Sequence, residues 1–338
     1  MGATDQRRLA LEAIRCGVKV SSLEKLASMI GIETPSQPKL GVEPETGLKV
    51  STKRDEARVG DFQGKLDAGL VRDLLYPRYD PIRFIGAGAL GEVWLVQELK
   101  ARDRRRWAAK TFYYPHNARE LSGLGKTLSL RDDGIIRIVA FGESGDGSLV
   151  WYVMPPADDL HGEGMIFDGT YIPCTLDNYI KDRRQRLPEQ AWHKECLSIA
   201  LELCNALTYL ASIGLIHRDL KPSNILRVEQ KWKLGDIGLV APIGAASFVG
   251  TLLYMPPEGP GKPGGDLYAL GVVLYQMLSG DLRAAPPQIR IRRRSDLSIH
   301  DRLMQVASKA TKRTLRYRFR TAEEMKQTLQ EIQKLPEK

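Results

Sequence analysis

A carboxylate, an ammonium and a carboxamide fall close together at Asp219, Lys221 and Asn224, in the run Leu215-Ile216-His217-Arg218-Asp219-Leu220-Lys221-Pro222-Ser223-Asn224-Ile225-Leu226. Apolar pairs flank these groups on both sides, so a core can grip both ends of the loop, and the stretch reads as a preformed site rather than as a charged turn after a buried helix. Upstream, Gly86, Gly88 and Gly91 lie in Ile85-Gly86-Ala87-Gly88-Ala89-Leu90-Gly91-Glu92-Val93. Glycines at this spacing allow a tight turn whose backbone amides approach phosphates without side-chain obstruction. The spacing alone also fits a dinucleotide fold. There, however, the third glycine opens a helix, whereas Val93 to Val96 continues as a strand.

The next strand, Trp107-Ala108-Ala109-Lys110-Thr111-Phe112, carries one lysine. A lone strand lysine is ordinarily surface decoration; following a glycine turn it becomes a candidate phosphate ligand.

The run His217-Arg218-Asp219-Leu220, three further residues and Asn224 resembles the catalytic loop of protein kinases. The resemblance implies that Asp219 orients the attacking hydroxyl and takes its proton, and that Asn224 holds magnesium. Lys221 resembles the serine/threonine branch and would offset charge on the transferred phosphoryl group. Gly86 to Gly91, including Ala87, Gly88, Ala89 and Leu90, would cover the ATP phosphates. Lys110 would steer them, with Ile85, Val93, Ala108 and Leu226 around the adenine. Asp236 in Asp236-Ile237-Gly238 stands where the family has Asp-Phe-Gly and would bind magnesium. Met154 falls at the gatekeeper position and Pro155-Pro156-Ala157 at the hinge. There the adenine contacts use the carbonyl of Pro155 and the N–H of Ala157, so proline removes no needed donor.

Glu120 is the candidate carboxylate partner of Lys110. The sequence departs from the family here, since only ten residues separate the two and the helix runs into Gly123 and Gly125. The activation segment is short, with Ser247 its only hydroxyl between Leu239 and Val249, so Ser247 is the candidate phosphosite facing Arg218. Thr251 matches the threonine that bonds the catalytic Asp and Lys. Glu258, in Met255-Pro256-Pro257-Glu258, is expected to pair with Arg318, and Asp266 to accept hydrogen bonds from the catalytic-loop backbone.

The elements that must hold these groups follow an α+β order. Strand patterns at 79–96, 107–112, 135–142 and 149–154 precede helical ones at 175–180 and 191–213, as in a bilobal kinase fold with a small antiparallel-sheet lobe and a larger helical lobe. The expected domains are a helical hairpin over 1–33, a linker over 34–78 and a kinase domain over 79–335; the linker is Pro- and Gly-rich to about residue 53, and Leu66, Leu70, Val71, Leu74 and Leu75 fit a short helix near its end. The last divides into an N-lobe 79–154, a hinge 155–157 and a C-lobe 158–335. Residues 158–173 form a long Gly- and Asp-rich insertion at the lip of the expected cleft, where long loops carry specificity.

With 43% hydrophobic and 27% charged residues among 338, the chain is an ordinary folded protein rather than a disordered one. Its longest apolar candidate, Leu267 to Leu278, contains Gln276 and is too short for a membrane span. The N-terminus lacks a secretory pattern and Gln6 stands where myristoylation expects Ser or Thr, so a cytoplasmic location is expected. Four cysteines have no metal-ligand spacing. The net charge of +9 is spread out, with clusters only at Arg102 to Arg106, Arg183 to Arg186 and Arg290 to Arg294; these read as solvated faces, with acidic partners or substrates the sharper alternative, and nucleic acid is not expected. ATP and Mg2+ are the expected cofactors, a protein the expected substrate, and the N-terminal helices a possible partner or dimer surface. A pseudokinase scaffold and a small-molecule kinase are the alternatives. The first would be favoured by loss of Lys110, Asp219, Asn224 or Asp236, and the second by loss of the Pro-Pro-Glu and Gly-Thr segments; all are present.

Overall fold

The computed structural model describes residues 66–334, apart from 67, 89–90, 101–104, 114–129, 145–148, 163–170, 238–239, 245–250, 260, 288 and 290–296. The expected hairpin of residues 1–33 and most of the linker lie outside the described residues.

Five strands make one antiparallel sheet: β1 (Tyr79–Gly88), β2 (Gly91–Glu98), β3 (Arg106–Tyr113), β4 (Ala140–Glu143) and β5 (Leu149–Met154), in the order β1-β2-β3-β5-β4. Side chains alternate faces along a strand, and both faces are covered. Ala108, Phe112, Val150, Tyr152 and Met154 join the main core, whereas Trp94, Val96, Ala109 and Val153 form a second cluster on the opposite face. The same alternation sends Lys110, between Ala108 and Phe112, towards the main core and the cleft beneath the sheet.

The second cluster is closed by helix α1 (Ala68–Leu75), whose Val71 and Leu75 are buried with Tyr79. The short helix expected from Leu66 to Leu75 forms over residues 68–75, and it packs on the sheet because Trp94 and Tyr79 offer an apolar surface that it covers. Glu92 is fully buried on that side, accepting hydrogen bonds from Leu66 N at 3.2 Å and Trp94 Nε1 at 3.0 Å.

The larger lobe is helical, built on α2 (Leu176–Arg186), α3 (Glu189–Ser212), α4 (Pro263–Ser279), α5 (Ile299–Ala310) and α6 (Ala322–Gln333). In α3, Trp192, Cys196, Ile199, Ala200, Leu203, Cys204, Leu207 and Leu210 recur at helical spacing and are buried, an apolar stripe that drives packing. α4 is apolar nearly all round and runs through the core. Gly271 lets α5 approach it, since a Cβ there would lie 2.6 Å from Ala310 Cβ. Gly280, at φ 77°, ends α4 in the left-handed conformation that glycine adopts without strain.

The helical lobe is clamped by Arg318, which is 3% exposed and forks onto Glu258 with contacts of 2.5 Å and 2.9 Å. Arg318 is buried but Glu258 reaches solvent, so removing the arginine leaves a carboxylate that water can hydrate, and the cost is that of the lost charge-assisted bonds, about 1.5–3 kcal/mol. Arg318→Ala is therefore expected to lower the thermal midpoint by several degrees, as read by calorimetry, and Arg318→Lys to recover only part of it because the fork is lost. A midpoint unchanged in Arg318→Ala would contradict this.

Candidate active site

Two residues past the end of α3, Gly214 at φ 74° reverses the chain into β6 (Leu215–Ile216), which pairs with β9 (Ala241–Pro242). The polar loop begins at its end. Arg218 stands at φ 76°, a region unfavourable to residues other than glycine. Asp266, from the first turn of α4, compensates: its carboxylate accepts His217 N at 2.7 Å and Arg218 N at 2.8 Å. Burial pushes the Asp266 carboxyl up, against the opposing pull of His217 and of those two amides.

Asp219 is 3% exposed, and donors surround both of its oxygens. Oδ1 accepts from Thr251 N at 3.0 Å and Thr251 Oγ1 at 2.9 Å; Oδ2 accepts from Asn224 Nδ2 at 2.9 Å and pairs with Lys221 Nζ at 2.8 Å. Lys221 also donates to Thr251 Oγ1 at 2.9 Å. Burial alone would push the Asp219 carboxyl up, but the Lys221 ammonium and the bonds from Lys221 and Thr251 outweigh it and hold it below its ordinary value. A lowered carboxylate is ionised throughout the neutral range, and its contribution to stability is lost only as pH falls through that lowered value. Asn224 spends its amide nitrogen on Asp219, bonding both the carboxylate and, at 2.9 Å, the backbone carbonyl. Its amide oxygen is the group left for a cation.

β7 (Ile225–Val228) and β8 (Lys231–Leu234) form a hairpin turned by Glu229 and Gln230, both at positive φ. Asp158, just past the hinge segment, accepts both turn amides at 2.9 Å and so fixes Leu226 beneath the sheet. Gly235 follows β8 and is gripped on both sides: its N–H donates to Asn224 O at 2.7 Å, and its carbonyl accepts His217 Nε2 at 2.8 Å. Those bonds present Asp236, at φ 50°, to the cleft, where Oδ1 forms an ion pair with Lys110 Nζ. Holding a non-glycine residue there costs about 1–2 kcal/mol.

A cleft of about 300 Å³ lies between the sheet and this loop. Ile85, Gly86, Ala87, Gly91, Val93, Ala108, Lys110, Met154, Ala157, Lys221, Asn224, Leu226 and Asp236 line it. Asp219, Thr251, Lys221 and Asn224 thus form one cluster and Lys110 and Asp236 a second; Lys221 and Asn224 of the first line the same cavity as the second, with Asp219 bonded behind them. Pro155 is half-buried at the end of β5, outside the lining, and Gly88 ends β1. Ala89, Leu90, Glu120 and Ser247 lie outside the described residues. Among the described residues, the carboxylate paired with Lys110 is Asp236.

Gly91 has a different reason for being glycine from the one its spacing suggests. A Cβ there would sit 1.7 Å from the carbonyl oxygen of Thr111, inside the β2–β3 ladder, whereas a Cβ on Gly86 would meet nothing within 4 Å. Gly91→Ala is expected to lower stability and nucleotide affinity together, and Gly86→Ala to leave the stability within about 1 kcal/mol of wild type. Equal losses in the two variants, by thermal melts and nucleotide titration, would contradict this.

Tyr152, Tyr171, Pro173, Thr175 and Ser223 also line the cleft, and none stands out by its spacing in the sequence. Tyr171 carries no periodic signal at the end of a polar insertion. Ser223 is visible only as a variable position between Asp219 and Asn224.

The protein kinase domain model matches residues 79–336. Among similar proteins, serine/threonine-protein kinase PknD of Chlamydia caviae is 32% identical over 238 residues, 60% of this chain and 24% of that protein. Serine/threonine-protein kinase PrkC of Bacillus subtilis is 25% identical over 286 residues, 76% of this chain and 40% of that protein. The chain thus spans about a quarter to two-fifths of the length of these relatives. The crystal structure of the Mycobacterium tuberculosis PknI kinase domain superposes with a TM-score of 0.56 at 23% identity, covering 79% of this chain and 99% of that one, a likeness of fold. The sheet over a helical lobe, the cleft between them and the match through 79–336 place the chain in the protein kinase domain family.

Proposed function

We propose that the chain is a serine/threonine protein kinase that moves the γ-phosphate of ATP to protein hydroxyls. The observation that carries this reading is the cleft in which Lys110, Asp236 and Asn224 converge beside an Asp219 held by four donors. Phosphoryl transfer needs positioning and charge compensation more than covalent chemistry from the protein, so fixed groups of the right sign support turnover.

In this reading Asp219 receives the substrate hydroxyl. Its four donors fix the carboxylate, and its lowered pKa makes it an orienting group that accepts the proton as the new P–O bond forms. Lys221, bonded to both Asp219 and Thr251, stands beside the transferred group and balances its charge. Lys110 exchanges Asp236 for a phosphate oxygen when nucleotide enters. Two oxygen donors, the Asn224 amide and the Asp236 carboxylate, fit Mg2+, which takes few protein ligands beside substrate phosphates. When bound, the ion neutralises phosphate charge. Ile85, Val93, Ala108 and Leu226 enclose the base, and Ala157 offers it a backbone N–H.

The kinase domain is taken as 79–335 with α1 packed on it, and residues 1–33 as the surface for a partner or second copy. Arg218 and Ser247 remain the candidate clamp and phosphosite, and Glu120 the candidate carboxylate that replaces Asp236 on Lys110. Buried free Cys174, Cys196 and Cys204 suit the reducing cytoplasm. Among the described residues no helix is long and apolar enough to cross a membrane.

Incubation with ATP, Mg2+ and both an acidic and a basic protein substrate, followed by mass spectrometry, tests the reading. Phosphate on Ser or Thr is the expected result. Hydrolysis of ATP with no modified protein, the enzyme included, would overturn it.

A further inference from the structure

Tyr171 stands at the returning end of the insertion that follows the hinge, is 2% exposed and walls the cleft beside Ala157. Its hydroxyl donates to the Ala157 carbonyl at 2.9 Å. The residue is held from several sides. Its own carbonyl accepts Arg83 Nη2 at 2.6 Å, and the Arg83 guanidinium lies 5.7 Å from the ring centroid, so strand β1 of the small lobe ties down a residue of the large one. The chain on either side is clipped by Leu160 N to Ile172 O and by Cys174 N to Asp158 O, both at 2.8 Å. Burial raises the phenol pKa and Asp159 adds to it, so the hydroxyl keeps its proton and remains a donor.

The nucleotide reading gives this contact a consequence. Along the edge of adenine the amino group, N1 and C2 follow in order. Along the hinge the Pro155 carbonyl, the Ala157 N–H and the Ala157 carbonyl follow in the same order. With the amino group on Pro155 and N1 on Ala157 N–H, the C2 position faces the Ala157 carbonyl, which Tyr171 already occupies. Hydrogen at C2 asks nothing of that carbonyl. A carbonyl oxygen can accept two bonds, but the phenol that bonds this one is itself part of the cleft wall, so an amino group at C2 competes with it for the cleft-facing side of that oxygen, and whichever donor loses is buried unpaired, which is costly.

Resting on the ATP-binding reading above, we propose that Tyr171 is a specificity-determining residue: by capping the Ala157 carbonyl it selects purines bearing hydrogen at C2 and rejects those bearing a C2 amino group. The rejected class includes the 2-amino analogue of ATP and heteroaromatic inhibitors that place a donor on that carbonyl.

Calorimetric titration of the full chain with ATP and with 2-aminoadenosine triphosphate, in wild type and Tyr171→Phe, tests this. Phenylalanine keeps the wall and frees the carbonyl. Wild type is expected to bind ATP roughly tenfold more tightly than the analogue, and Tyr171→Phe to erase or invert that preference. The ratio is taken on one protein at a time, so a variant that is only partly folded still reports it. Equal binding of both nucleotides by wild type, the same ratio in both proteins, or no nucleotide binding at all would overturn the proposal. If the ratio shifts as expected while no phosphate reaches protein, the transfer reading fails and this one stands.

Discussion

Replacing Asp219 by Asn is expected to lower phosphoryl transfer by about 10²–10⁴-fold, the range for loss of a positioned proton acceptor. The magnitude follows from how the carboxylate is held. Thr251 N and Oγ1 donate to one oxygen, and Asn224 Nδ2 and Lys221 Nζ to the other. An amide has one acceptor where the carboxylate has two, so its NH2 group must face donors on one side. The variant therefore loses the proton acceptor and also loosens Lys221 or Thr251. Nucleotide affinity should fall far less, because Lys110, Ala108 and Leu226 line the cleft on independent elements. Initial rates with a fixed protein substrate, beside nucleotide titration, separate the two. A variant retaining more than a tenth of the wild-type rate would mean that Asp219 is not the acceptor.

Asp266→Ala is expected to be nearly as damaging, through the backbone. Its carboxylate satisfies His217 N and Arg218 N, and the second belongs to a residue at φ 76°. Truncation leaves two amides without their acceptor, at about 1–3 kcal/mol each when buried, and releases the strained backbone that aims Asp219. Activity should drop by orders of magnitude together with a fall of several degrees in the thermal midpoint. Asp266→Asn should recover part of the stability, since its amide oxygen can still accept one of the two bonds. An Asp266→Ala protein of wild-type stability and rate would show that the loop keeps its shape unaided.

Much of this is legible in the sequence because the information is local. The period of two in Trp107 to Phe112 sends Lys110 to the cleft face, and the spacing of Asp219, Lys221 and Asn224 on a short turn leads to their shared hydrogen bonds. What is not legible depends on distant partners. The apolar spacing of Leu66 to Leu75 shows helix α1, but not that it belongs to the sheet lobe, because its two buried residues acquire meaning only from Trp94 and Tyr79. Gly91 resembles a phosphate-loop residue, although the constraint comes from the carbonyl of Thr111 on the neighbouring strand. Tyr171 reaches Ala157 only because the insertion folds back on the hinge, a closure that no pattern within 158–173 encodes. The Lys110 pairing with Asp236 joins residues 126 positions apart and depends on Gly235 being gripped by His217 and Asn224.

The most direct measurement of the central claim is the transfer of label from γ-labelled ATP with Mg2+ to protein, followed by identification of the labelled amino acid, for wild type beside Asp219→Asn. The account predicts label on serine or threonine with wild type and a loss of about a hundredfold or more in the variant. Equal label in the two proteins, or none in either while nucleotide binds, would contradict it.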